Sequence, residues 1–124
     1  LLAWMYLERK EFTKAKEILD SYPTKESSYF HFLYGVYLAA TAGIPQALSH
    51  FQKVMDTPYP RSWTLASHYL SGKLDFNRWL KNAFFWEKRE LYRQLALYYH
   101  CIENEEQSNY YNELALKLEQ TEDF

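Results

Sequence analysis

The chain has 124 residues, a formal net charge of −2 and 48 % apolar residues, which excludes a disordered tail and a strongly basic nucleic-acid field. Aromatics are abundant (12 Tyr, 8 Phe, 4 Trp) while Gly (3) and Pro (4) are scarce, a balance that favours long helices over a turn-rich sheet protein. Cys101 is the single cysteine, so an internal disulfide and a cysteine-rich metal site are excluded, and a reducing, cytoplasmic setting is expected.

Leu2, Ala3, Tyr6 and Leu7 have the spacing of a short first helix that ends near Arg9-Lys10-Glu11. Because Leu1-Leu2-Ala3-Trp4 already reads as the inside of a helix, a fragment of a longer protein is expected. Phe12, Ala15, Leu19 and Tyr22 mark a second helix, with Lys14, Lys16, Glu17 and Asp20 on its other face and Pro23 after its end. A polar loop, 24–28, leads to a third helix from about Tyr29 to Thr41 that is apolar nearly all round, which suits an element with neighbours on several sides. Gly43 supplies the stop, and Pro45 suits the first turn of the next helix, where its missing N–H has no partner anyway. Ala47, Leu48, Phe51, Val54 and Met55 form that fourth helix's stripe.

Thr57-Pro58-Tyr59-Pro60 is the next break. Trp63, Ala66, Ser67 and Leu70 predict a fifth helix closing at Ser71-Gly72-Lys73, and Asp75 then caps a sixth that carries Phe76, Trp79, Leu80 and Ala83 to about Trp86. A turn is expected at Lys88-Arg89-Glu90, because the repeat pattern demands a reversal there; the triplet holds no Gly or Pro, so one long helix over 76–102 is the alternative. Leu91, Leu95, Tyr98, Tyr99 and Ile102 define the seventh helix. Asn104, followed by Glu105, Glu106 and Gln107, is a start signal for the eighth. Its polar outer face, with Asn109, Asn112, Glu113, Lys117 and Glu119, suits the closing cap of a stack. The longest mostly apolar run, Phe32 to Ile44, is too short to cross a bilayer.

These helix pairs repeat. Ala3, Gly35, Ser67 and Ala96 are small residues spaced 32, 32 and 29 apart, each followed three residues later by Tyr6, Leu38, Leu70 or Tyr99. In the partner helices Ala15 and Ala47 are matched, as are Leu19 with Phe51 and Tyr22 with Val54. Small residues let helix backbones approach, and the larger ones fill the adjoining grooves. The pattern resembles the tetratricopeptide repeat, best over Tyr34-Gly35, Leu38, Ala47 and Phe51 with Pro58 or Pro60 after them. The resemblance implies an all-α, right-handed superhelical stack of antiparallel helix pairs, a solenoid with units at about 1–23, 29–60, 61–87 and 90–119. It departs from the family in its short period, in Trp79 and Ala83 at the small and large positions of the third unit, and in Ser108 and Asn112 in the last. Slipping that register by one brings Tyr111 and Leu114 into place, so an extra residue is expected in the preceding turn.

The same resemblance implies a concave groove lined by the first helix of each pair: Trp4; Tyr29, Phe32 and Val36; Arg61, Thr64 and His68; and Arg93, Leu97 and His100. Aromatic and Arg anchors are typical of interface centres, while core packing is the competing reading for Trp4, Phe32 and Val36. Family members that grip a C-terminal carboxylate use Lys and Asn at places that hold Phe32, Val36 and Leu97 here, so that clamp is absent and an apolar partner is expected. An acidic or phosphate group beside Arg61 and Arg93 would suit such a segment.

No metal or cofactor is expected. His31, His50, His68 and His100 lack metal-ligand spacing, and adjacent His100 and Cys101 point to different helix faces. No phosphate loop or nucleophile elbow occurs. A non-catalytic module binding a protein or peptide segment, the docking or regulatory part of a larger signalling or secretion protein, is the leading reading. The basic–aromatic run Lys73 to Arg93, with Trp79, Phe84, Phe85 and Trp86, supports a single-stranded nucleic-acid reading, opposed by Glu87, Glu90 and the balanced charge. A purely structural role, packing against its own upstream chain, is the third.

Overall fold

The computed structural model describes residues 2–23, 27–53, 66–67, 69–72 and 84–121. Among them are six helices and no strand: α1 (Leu2–Glu8), α2 (Phe12–Asp20), α3 (Ser28–Thr41), α4 (Ile44–Lys53), α5 (Phe85–Cys101) and α6 (Glu105–Thr121). None is long and apolar enough to cross a membrane.

The helices form three pairs, α1/α2, α3/α4 and α5/α6, and each pair is joined by a tight turn. The turns share one device. The N–H of Glu11 donates to the Tyr6 carbonyl, that of Gly43 to Leu38 and that of Asn104 to Tyr99. Such a bond closes the open end of a helix when a residue near it turns left-handed. Lys10 (φ 58°) and Glu103 (φ 67°) take that conformation in the outer turns, and Gly43 (φ 107°) takes it in the middle one.

The pairs also cross alike. Ala3 and Ala15, Gly35 and Ala47, and Ala96 and Ser108 are each 12 residues apart and all are buried. The middle crossing is close, because a Cβ on Gly35 would lie 2.5 Å from Phe51 Cε1. At the last crossing the Ser108 hydroxyl donates to the Ala96 carbonyl at 2.9 Å. Ser108 therefore occupies the small position without a slip of register. Three residues separate α5 from α6, as they separate α1 from α2, one more than the two between α3 and α4, and the 12-residue spacing is kept in all three pairs. Tyr111 is buried, whereas Asn112 is exposed.

Ser27 caps α3 by accepting the Phe30 N–H at 3.1 Å, and Asn104 caps α6 by accepting that of Gln107 at 3.2 Å. The turn expected at Lys88-Arg89-Glu90 is not there. Helix α5 begins at Phe85 and runs through those residues, while Phe84 is extended (ψ 152°), which also rules out one helix over 76–102. Glu87, Leu91, Gln94, Leu95 and Tyr98 are all buried, so one inner face continues past the charged triplet. The predicted closing of the fifth helix falls at Ser71 and Gly72, where the Gly72 N–H donates to Tyr69. The sixth helix, apart from its last residues, lies outside the described residues, as do Pro58, Pro60 and Trp63.

One core joins the pairs. The first helices α1, α3 and α5 pack mutually, and α2 packs on α3. Phe32, Leu33 and Val36 of α3 and Leu91 and Leu95 of α5 are fully buried. The Phe51 ring lies between those of Phe32 and Tyr98, with centroids 5.8 Å from each. Burial of these side chains is the main favourable term for a domain of this size.

Candidate functional site: a cleft between α1, α5 and α6

Helical spacing aligns the walls of a cleft among the described residues. Arg93, Ala96, Leu97 and His100 share one face of α5; Glu105, Ser108, Asn109 and Asn112 share one face of α6; Trp4 and Glu8 come from α1. The cleft encloses ≈ 650 Å³, within the range of sites that hold small ligands or a few residues of a peptide. Its floor is made of buried Ala96, Leu97 and Ser108, and its rim of exposed Glu8, Arg93, Glu105, Asn109 and Asn112.

One end is closed by a polar network. The His100 ring places Nδ1 2.7 Å from Glu105 Oε1 and Nε2 2.8 Å from the Glu8 carbonyl, tying α5 to α6 and α1 together. Lys10 reaches across from the first turn to Glu103 (2.9 Å) and Glu105 (3.6 Å). The hydrogen bond to Glu103 raises the Lys10 pKa and keeps the ammonium charged. Beneath this network the Cys101 thiol donates to the Leu7 carbonyl at 3.3 Å. Burial pushes that thiol up to about 12 from its ordinary value near 9, so it is no thiolate nucleophile at neutral pH. Toward the other end Arg93 pairs with Glu119, and the Trp4 indole N–H donates to the Glu8 carboxylate.

Four of the expected groove residues, Trp4, Arg93, Leu97 and His100, meet in this cleft. Phe32 and Val36 do not line it. Both are fully buried in the core, where the Phe32 ring packs on that of Phe51 from α4. Tyr29 is half-buried at the α2–α3 junction, stacked on Tyr22 with their hydroxyls 2.8 Å apart. Arg61, Thr64 and His68 lie outside the described residues. Sequence reasoning missed Glu8, Glu105, Asn109 and Asn112. Their signal was the polar stripe at i, i+4 and i+7 on the last helix (Glu105, Asn109, Asn112), which reads as an ordinary wet face until α1 is placed opposite it.

No family model matches the chain, and no solved structure matches it. The chain is 41 % identical over 115 residues to a serine/threonine-protein kinase, PknD, of Protochlamydia amoebophila (strain UWE25). That match covers 90 % of this chain and 12 % of the kinase, so the chain spans about an eighth of that relative's length.

Proposed function

We propose that this chain is a non-catalytic, tetratricopeptide-like interaction module within a longer signalling protein, and that it binds a segment of a partner protein in the α1–α5–α6 cleft. The observation that carries this reading is the convergence of Trp4, Arg93, Leu97 and His100 on one concave surface, together with the amides of Asn109 and Asn112. An aromatic and an Arg beside a buried floor are the usual anchors of a segment-binding site, and side-chain amides can pair with the backbone of an extended peptide. The match to a small share of a protein kinase supports a role as an accessory part rather than as the chemistry-bearing part. Cys101 faces the Leu7 carbonyl in the interior while His100 faces the cleft, so these neighbours do not form a nucleophile and base pair.

Selection of 12-residue peptides from a display library, followed by titration of the best binder, tests the proposal. Trp4→Ala and Asn112→Ala should each weaken it by about tenfold, the loss expected for one anchor or one hydrogen-bonded contact. Unaltered affinity in both variants would move the site elsewhere. Oligo-dT binding that is tighter, and that falls steeply with salt, would replace the reading with the nucleic-acid one, for which exposed Phe84, Phe85 and Trp86 are the aromatic platform.

A further inference from the structure

We propose that the cleft selects a partner segment bearing a cation, with an Arg or Lys side chain seated against the Trp4 ring and the Glu8 carboxylate. The inference rests on the segment-binding reading of the cleft and names the chemistry of what fills it.

Charge complementarity carries it. The carboxylates of Glu8 and Glu105 line the cleft, and Glu103 and Glu119 stand beside it as partners of Lys10 and Arg93. Among the described residues, the cations paired with them are Lys10, with Glu103 and Glu105, and Arg93, with Glu119. The described walls therefore carry more negative than positive charge, and a concave low-dielectric wall concentrates that field. An acidic or phosphorylated segment would meet the Glu8 and Glu105 carboxylates and find Arg93 already paired.

The second observation is the aromatic wall. The Trp4 indole N–H is tied to the Glu8 carboxylate one helical turn on, which fixes ring and carboxylate side by side. A guanidinium or ammonium there gains the ring quadrupole and a charge-assisted hydrogen bond together. The apolar stem of the same side chain can lie on the Leu97 and Ala96 floor, as long basic side chains do.

The experiment is an NMR titration of the whole isotope-labelled chain with three acetylated, amidated decapeptides of identical apolar composition, carrying two Arg, two Gln or two Glu. The Arg peptide should bind at least tenfold tighter than the Gln peptide and shift the Trp4 indole N–H and the amides of Arg93 to His100. Glu8→Gln, an exposed and isosteric change, should abolish most of that preference while leaving the melting temperature unchanged. Equal affinity for all three peptides at the cleft would overturn the cation preference and leave the segment-binding reading standing. Tighter binding of the Glu peptide would reverse the charge assignment. Shifts confined to residues outside the cleft would remove both readings together.

Discussion

At the scale of single residues, the tightest constraint in the fold is the absent side chain of Gly35. Added there, a methyl group would meet the Phe51 ring at 2.5, 2.9 and 3.0 Å. Phe51 cannot retreat, because its ring is fully buried and lies against both Phe32 and Tyr98. Overpacking of this kind costs about 1–3 kcal/mol, against a helix-propensity gain of about 1 kcal/mol for Gly→Ala. The clash outweighs the gain at a ring this confined, so Gly35→Ala should lower urea-unfolding stability by up to about 2 kcal/mol. Placed on a Phe51→Leu background, where the ring edge is gone, the same substitution should become neutral or stabilising, and a double-mutant cycle reads the coupling. A higher midpoint for Gly35→Ala alone would remove the close crossing. The small residue at 35 was legible in the sequence from its 32-residue recurrence. That it faces Phe51 is a fact of packing.

Between elements, the α5–α6 seam is a run of phenols. Tyr111 of α6 stacks between Tyr92 and Tyr99 of α5, with centroids at 6.0 and 5.7 Å, and its hydroxyl lies 2.9 Å from that of Tyr69. Burial raises the Tyr92, Tyr99 and Tyr111 phenols above their ordinary value of 10, Tyr99 to about 12. A raised folded pKa on an acid means that the native state keeps a proton the unfolded chain gives up. The stabilisation is complete below pH 10 and disappears as pH climbs toward and past 12. Cys101, raised from 9, starts the same decline a unit earlier. Urea midpoints should hence be level from pH 7 to 8.5 and fall from about pH 9 to 12, less steeply in Tyr111→Phe. A flat profile over that window would show that the seam is wet. Helix ends along these elements were largely legible, since Lys10, Gly43 and Asn104 announce their turns. The start of α5 was not, because extrapolating the repeat set a turn at Lys88-Arg89-Glu90 that the inner face of Glu87, Leu91 and Leu95 overrides.

For the molecule as a whole, the decisive contact is the one between its distant ends. In an open helical-repeat array each unit touches only its neighbours, and terminal units fray independently. Here α1 packs on α5, with Leu7 joined to Cys101 and Glu8 to His100 across more than ninety residues of chain. This contact brings Trp4 and Glu8 of α1 to the cleft, a juxtaposition that does not follow from a local repeat pattern. A substitution in α1 should accordingly be felt in α5. Leu7 is fully buried, and Leu7→Ala should cost about 2–5 kcal/mol through the cavity it leaves. Hydrogen exchange should then show amides of Leu95 to Cys101 losing protection together with those of α1, because the two helices share one cooperative unit. If α1 alone exchanged faster while α5 kept its protection, α1 would be the loose end of an open stack. The cleft would then lack one wall, and Trp4 and Glu8 would have no part in binding.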